Sequence, residues 1–152
     1  MSKIYAVGSG KGGVGKSLIA ANIGVLFARQ GKRTLLVDLD LGSSNLHTYL
    51  GQSRLKTGMH SFLERQVPHL EHTASETGFS NLDFINSAHC GIEVANLYAA
   101  QKLKIIRALQ HLPYDYVLVD LGAGTHFNIL DFYLGAHQGI LVVVPEPTSV
   151  EN

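Results

Sequence analysis

The chain has 152 residues, and its 12 Lys and Arg are matched by 12 Asp and Glu, for a formal net charge of +0 at pH 7. That balance supplies no overall field to draw nucleic acid or an anionic membrane, and the length suits one domain burying about 70% of its unfolded surface. A lone cysteine, Cys90, excludes an internal disulfide framework and fits a reducing compartment; with no apolar run near the roughly 18 residues of a membrane span, a cytoplasmic chain is expected.

Ile4, Tyr5, Ala6 and Val7 read as a short buried strand, and the glycine-rich loop 8–17 follows it directly. From Gly10 to Ser17 the residues Gly10-Lys11-Gly12-Gly13-Val14-Gly15-Lys16-Ser17 satisfy G-x-x-x-x-G-K-[ST], set between a strand and a helical pattern as a phosphate-binding P-loop requires. Glycines let successive backbone N–H groups curl around a phosphate, and the helix start adds its unpaired donors. Lys16 would reach the terminal phosphates of ATP and Ser17 would ligate Mg2+. The glycines also fit the dinucleotide pattern, as Gly8-x-Gly10-x-x-Gly13 and Gly10-x-Gly12-x-x-Gly15, with Asp38 at about the 20-residue distance of a ribose-binding acid. Lys16 and Ser17 decide against it, because only a triphosphate with its metal needs both.

Residues 16–30 carry Leu18, Ile19, Ile23, Leu26 and Phe27 at helical spacing with Ala20, Ala21 and Gly24 between them, and Gly31 suits a C-terminal cap. Thr34 to Val37 is a continuous β-prone run, as in a parallel strand covered on both faces. It ends in Asp38-Leu39-Asp40, at the carboxyl end where an open α/β sheet binds its ligand. Two carboxylates two residues apart in an extended chain face one side, so one could support a metal shell and the other an attacking water.

Residues 46–51 and 58–65 suggest short helices. His69, Glu71 and His72 lie close together, but without cysteine or a second ligand group they read as a solvated face, and all eight histidines read as structural or surface residues. Residues 82–86 form a third expected strand, followed by a polar turn over 87–91 in which Cys90 is read as inert. Helical spacing of Leu97, Leu103, Ile106 and Leu109 marks 95–112 as a helix, with Lys102, Lys104 and Arg107 as a solvated face or, alternatively, a DNA-contacting patch. The run 114–120 ends in Asp120, an apolar strand closed by an acid that would hold the Mg2+ shell or bond Ser17. A helix over 128–135 and a fifth strand over 138–144 complete the expectation. Thr148 and Glu151 form a capping box with almost no chain after it, which predicts an N-terminal piece of a longer protein and an exposed apolar edge on the last strand.

Together the loop Lys11-Gly12-Gly13-Val14-Gly15-Lys16-Ser17, the D-x-D-x(4)-N stretch from Asp38 to Asn45 and the D-x-x-A-G-like Asp120-Leu121-Gly122-Ala123-Gly124 resemble the deviant P-loop ATPases of the MinD/ParA group over nearly all of the chain. The resemblance implies an α/β fold, a doubly wound, mainly parallel sheet in one P-loop domain over residues 1–152. It implies Mg-ATP as cofactor and an ATP-dependent homodimer in which Lys11 crosses to the partner's phosphates. It places Asp40 at the hydrolytic water, Asp38 near the metal and Gly122 in the second switch, where MinD carries a proline. It further implies slow turnover set by an activating protein partner, and membrane contact, if any, through a C-terminal part beyond Asn152. The phrases at 40–47, 120–124 and 145–152 are similar to the flagellar-number regulators of the FlhG/FleN type. A ParA-type partition ATPase, an Mrp-type iron–sulfur carrier and a nucleotide-binding module without catalysis remain as alternatives.

Overall fold

The computed structural model describes residues 2–40, 45–52, 57–87, 97–124 and 127–145. In chain order the elements are β1 (Lys3–Ser9), α1 (Lys16–Arg29), β2 (Thr34–Leu39), α2 (Leu46–Tyr49), α3 (Met59–Leu63), a 3₁₀ turn (Leu70–Thr73), β3 (Ser75–Glu76), β4 (Leu82–Ile85), α4 (Ala99–Gln110), β5 (Tyr116–Ala123), α5 (Phe127–Leu134) and β6 (Gln138–Leu141). The strands form one sheet in the order β3-β4-β2-β5-β1-β6. Every pairing is parallel except that of β3 with β4. All five strands expected from the apolar runs are present.

The sixth, β3, was not expected. Ser75 and Glu76 pair with Phe84 and Asp83 of β4, so this strand exists through its partner and not through any apolar pattern of its own. Of the sequence expectations, the middle of the first switch, Cys90 with His89, His126 and the capping box at Thr148 and Glu151 lie outside the described residues.

Cores fill both faces of the sheet, as a doubly wound fold demands. On one face Ala20, Ala21 and Ala28 of α1 pack with Val7, Leu36, Phe84 and Leu118. On the other, Met59 and Phe62 of α3, Ile105 and Leu109 of α4 and Phe132 of α5 pack with Ala6, Leu35, Val37 and Val119.

Two helical faces differ from the periodicity reading. In α1 Leu18 and Leu26 are turned outward, 48% and 55% exposed, Ile23 and Phe27 are partly buried against the core, and the small residues Ala20, Gly24 and Ala28 face the sheet. Close approach is the reason: a Cβ built on Gly24 would stand 3.0 Å from the Leu36 side chain, so only small residues let the helix sit this low. In α4 it is Ile105, not Leu103, that reaches the core, and Leu103 is half exposed. The far end of α1 is held by Phe27, stacked on Tyr116 at 4.2 Å between ring centroids. At the sheet edge beyond β1, β6 pairs with β1 and with no other strand among the described residues, and Leu141 and Val143 are exposed there.

Register sets the level at which strands end. Asp120 of β5 pairs with Val7 of β1 on one side and with Asp38 of β2 on the other. Asp38 is fully buried, and both its carboxylate oxygens accept backbone N–H groups: Oδ1 from Asp40 at 3.0 Å and Oδ2 from Leu46 at 3.3 Å. It therefore fastens the chain where β2 ends and α2 begins. Asp38 is the residue the resemblance places near the metal, and here each of its carboxylate oxygens accepts one backbone N–H.

Gly24→Leu is expected to lower stability by about 1–3 kcal/mol through overpacking against Leu36, while Leu26→Ala stays within about 0.5 kcal/mol, both read from urea midpoints. Asp38→Ala strands two backbone donors and should lose about 1–3 kcal/mol in magnesium-free buffer, with Asp38→Asn losing less. Unchanged stability of Asp38→Ala without magnesium would remove the fastening role.

Candidate functional site

The loop between β1 and α1 is built from backbone conformations that only glycine adopts readily. Gly13 has φ 77° and Gly15 φ 88°, both left-handed, and a Cβ on either would meet nothing within 4 Å. Conformation, not crowding, selects glycine at these two residues. Gly15 immediately precedes α1, and its carbonyl accepts the first helical bond, from Ile19 N–H at 3.0 Å. The helix start therefore faces the concave side of the loop, as anion binding requires.

Gly10, Lys11, Gly12 and Gly13 form the outer rim, where Lys11, Gly12 and Gly13 are exposed; Val14 is half-buried against the α1-side core. Two contacts that the motif did not announce hold the rim. The buried Ser9 hydroxyl donates to the Lys11 carbonyl at 3.0 Å, and Gly124 N–H donates to the Ser9 carbonyl at 2.9 Å, tying the end of β5 to the loop. The only sequence signal for Ser9 is a small polar residue inside the glycine run. At the loop's entry, a Cβ on Gly8 would stand 3.4 Å from the Tyr133 ring, and nothing in the sequence pairs those two residues.

Lys16 points inward. Its side chain is 7% exposed and its Nζ stands 2.5 Å from Oδ1 of Asp120, which is 1% exposed, and 3.4 Å from the Ser17 hydroxyl. The structure thus brings together Lys16, Ser17 and Asp120 from residues 104 apart in the case of the ion pair. Asp120 Oδ2 is buried and has no hydrogen-bond partner among the described residues. Burial raises the Asp120 carboxyl above its ordinary range, the Lys16 ammonium and Ser17 hydroxyl pull it back, and the charge of Asp40 pushes it up again.

Asp40 is half-buried at the end of β2, with its carboxylate beside Gly122: a Cβ on Gly122 would stand 3.5 Å from Asp40 Oδ1. Gly122 itself lies within β5, and the left-handed turn comes two residues later at Gly124, with φ 104°. Gly122 falls where the pairing of β5 with β1 is irregular, the register stepping from Val7 opposite Asp120 to Ser9 opposite Ala123.

Among the described residues no three His, Cys, Asp or Glu side chains converge as a metal site. A metal here would need ligands from outside the protein. The Ser17 hydroxyl and the unpartnered Asp120 oxygen are hard oxygen donors too few to form a cage, a set that suits Mg2+ completed by water and phosphate oxygens. The arrangement can hold a polyphosphate on backbone donors, offer it an ammonium, and keep two acids close by, Asp40 half-buried and Asp120 buried.

Similarity to known proteins agrees with that geometry. Residues 5–132 match the family described as the CobQ/CobB/MinD/ParA nucleotide binding domain. The septum site-determining protein MinD of Helicobacter pylori is 29% identical over 153 residues, covering 100% of this chain and 56% of its own length. Among solved structures, the septum site-determining protein MinD of Pyrococcus horikoshii, complexed with Mg-ADP, superposes with a TM-score of 0.86 at 30% identity, covering 99% of this chain and 61% of that one. The MinC:MinD cell division complex of Aquifex aeolicus matches at 32% identity with a TM-score of 0.77, covering 99% and 60%. The chain spans about half the length of the curated relatives it matches. With a mainly parallel six-stranded sheet, a glycine loop opening α1 and acids at the ends of β2 and β5, the chain belongs to the MinD/ParA nucleotide-binding family.

Proposed function

We propose that this chain binds Mg-ATP, hydrolyses it slowly and uses it to time the association of two copies, as part of a system that places a cell structure. The observation that carries the reading is the convergence of Lys16, Ser17 and Asp120 beneath a left-handed glycine loop, at the carboxyl ends of adjacent parallel strands. A relative of this fold that was solved with Mg-ADP supports the choice of ligand.

In this reading the amides of 10–17 and the Lys16 ammonium hold the β- and γ-phosphates. Ser17 and Asp120 would hold Mg2+, which when bound offsets charge on the phosphate oxygens. Asp40, beside Gly122 and half open to solvent, orients the attacking water. Asp38 acts through the turn it fastens, keeping Asp40 in place. Lys11 stands on the exposed rim and reaches a second copy's phosphates, where a cation stabilises the charge of the transition state. Turnover by one copy is therefore slow, and ATP favours the dimer that hydrolysis releases.

The relatives' names favour placement of the division septum over that of flagella. The flagellar resemblance rests on the phrases at 40–47, 120–124 and 145–152, of which 41–44 and 146–152 lie outside the described residues. An accessory protein is the expected regulator, in line with the MinC complex formed by the Aquifex relative. The DNA alternative is weakened by the contacts of α4: Lys102 pairs with Asp131, and Lys104 donates to the Phe62 carbonyl at 2.7 Å. Among the described residues no helix is long and apolar enough to cross a membrane.

Light scattering tests the switch. Solution mass is expected to double with Mg-ATP and not with Mg-ADP, and Lys11→Ala to abolish the doubling while nucleotide still binds. Asp40→Ala should keep ATP affinity and lower turnover by about 100-fold or more. A protein that binds ATP but stays monomeric, with turnover indifferent to Asp40, would leave only a binding module.

A further inference from the structure

Lys11 stands in a run of glycines, with Gly10 before it and Gly12 and Gly13 after it. Such neighbours put almost no limit of their own on the path of the backbone, and Gly13 takes the left-handed conformation. A lysine carried on so permissive a stretch points in no fixed direction unless its peptide is held. The Ser9 hydroxyl holds it, donating to the Lys11 carbonyl at 3.0 Å. A residue's own carbonyl follows its ψ, so this bond fixes the backbone at the rim lysine itself.

Ser9 is in turn held by the sheet. It is 3% exposed at the end of β1, where pairing with β5 resumes opposite Ala123 after the step from Val7 and Asp120. Its carbonyl accepts Gly124 N–H at 2.9 Å. The rim lies close over the same strand, since a Cβ on Gly12 would stand 3.9 Å from the Ala123 side chain. Hydrogen bonds thus run from the end of β5 through Ser9 to Lys11, and they use the carbonyl side of the rim and no N–H group of the phosphate loop.

Resting on the reading of Lys11 given above, we propose that Ser9 is a positioning residue whose hydroxyl orients Lys11 toward the phosphates of a second copy. The gain is one of preorganisation. With the hydroxyl in place the rim meets its partner already ordered; without it, the freedom of Gly10, Gly12 and Gly13 is lost on association and subtracts from it. Ser9 touches no phosphate and acts only through Lys11. A hydroxyl that only shaped the phosphate loop would act on nucleotide binding whether or not residue 11 is lysine.

A double-mutant cycle separates the two roles. ATP turnover across a range of protein concentrations, and ATP affinity by calorimetry in Mg2+, are measured for wild type, Ser9→Ala, Lys11→Ala and the double variant. Ser9→Ala is expected to shift half-maximal turnover to about three- to tenfold higher protein concentration, the scale of one neutral hydrogen bond. In the Lys11→Ala background the same change should do nothing further. A loss by the same factor in both backgrounds, or a loss confined to ATP affinity, overturns the positioning role and leaves the nucleotide reading intact. If Lys11→Ala itself leaves turnover and dimerisation untouched, the proposal and the reading beneath it both fall.

Ser9→Thr and Ser9→Val cover the case in which Ser9→Ala does not fold. They have nearly one shape, suit a strand, and differ in a hydroxyl against a methyl. Ser9→Thr should keep the concentration dependence of wild type and Ser9→Val should show the shift; equal behaviour of the two overturns the proposal.

Discussion

A buried ammonium and a buried carboxylate meet where two neighbouring parallel strands end, and the arrangement of the site follows from that contact. Lys16 belongs to the first turn of α1 and Asp120 to the last residues of β5, so their pairing fixes the helix start over the sheet. An isolated charge of either sign would not be tolerated at this depth; as a pair they are, though breaking it by removing one partner costs about 3–5 kcal/mol. The pair is also incomplete, since one Asp120 oxygen has no partner among the described residues. A fully satisfied pair would be a structural feature and little else.

That contact is possible only because α1 lies close to the sheet. Ala20, Gly24 and Ala28 form the face that touches it, and Leu36 fills the space that a larger residue at 24 would take. The same closeness leaves Leu18 and Leu26 on the outside, which inverts the usual sense of a helix stripe. Two left-handed glycines, Gly13 and Gly15, then turn the chain tightly enough to bring Lys16 back over Asp120. Ser9 and Gly124 join the loop to the end of β5, so the loop, the helix start and the second acidic strand form one connected unit.

Much of this was legible beforehand. Five of the six strands are continuous apolar runs, and such runs are diagnostic when a strand is covered on both faces, as β2 is along its whole length. The loop was legible because phosphate binding needs glycine, lysine and hydroxyl at set spacing along one short stretch. Strand β3 was not, since two polar residues carry no period and gain their structure from β4. In α1 the helical spacing of the large apolar residues did not say which of them face the sheet, because a helix pressed onto a sheet buries its small residues there. The place of Ile105 in α4 was lost in the same way among neighbouring apolar residues.

Local chemistry in the sequence by itself determined the strand–loop–helix unit, the acids at the ends of strands and the class of ligand that such residues suit. Each of these is encoded within about ten neighbouring residues, where backbone freedom, charge and spacing act directly. Which acid does what was decided only by tertiary structure. Strand register set Asp38 and Asp120 level on neighbouring strands, and the surroundings then divided them: Asp38 spends both oxygens on backbone N–H groups, while Asp120 keeps one oxygen free of partners among the described residues and takes the other to Lys16. Two aspartates that look alike in sequence differ in role because hydrogen bonding and burial depend on what the folded chain brings beside them.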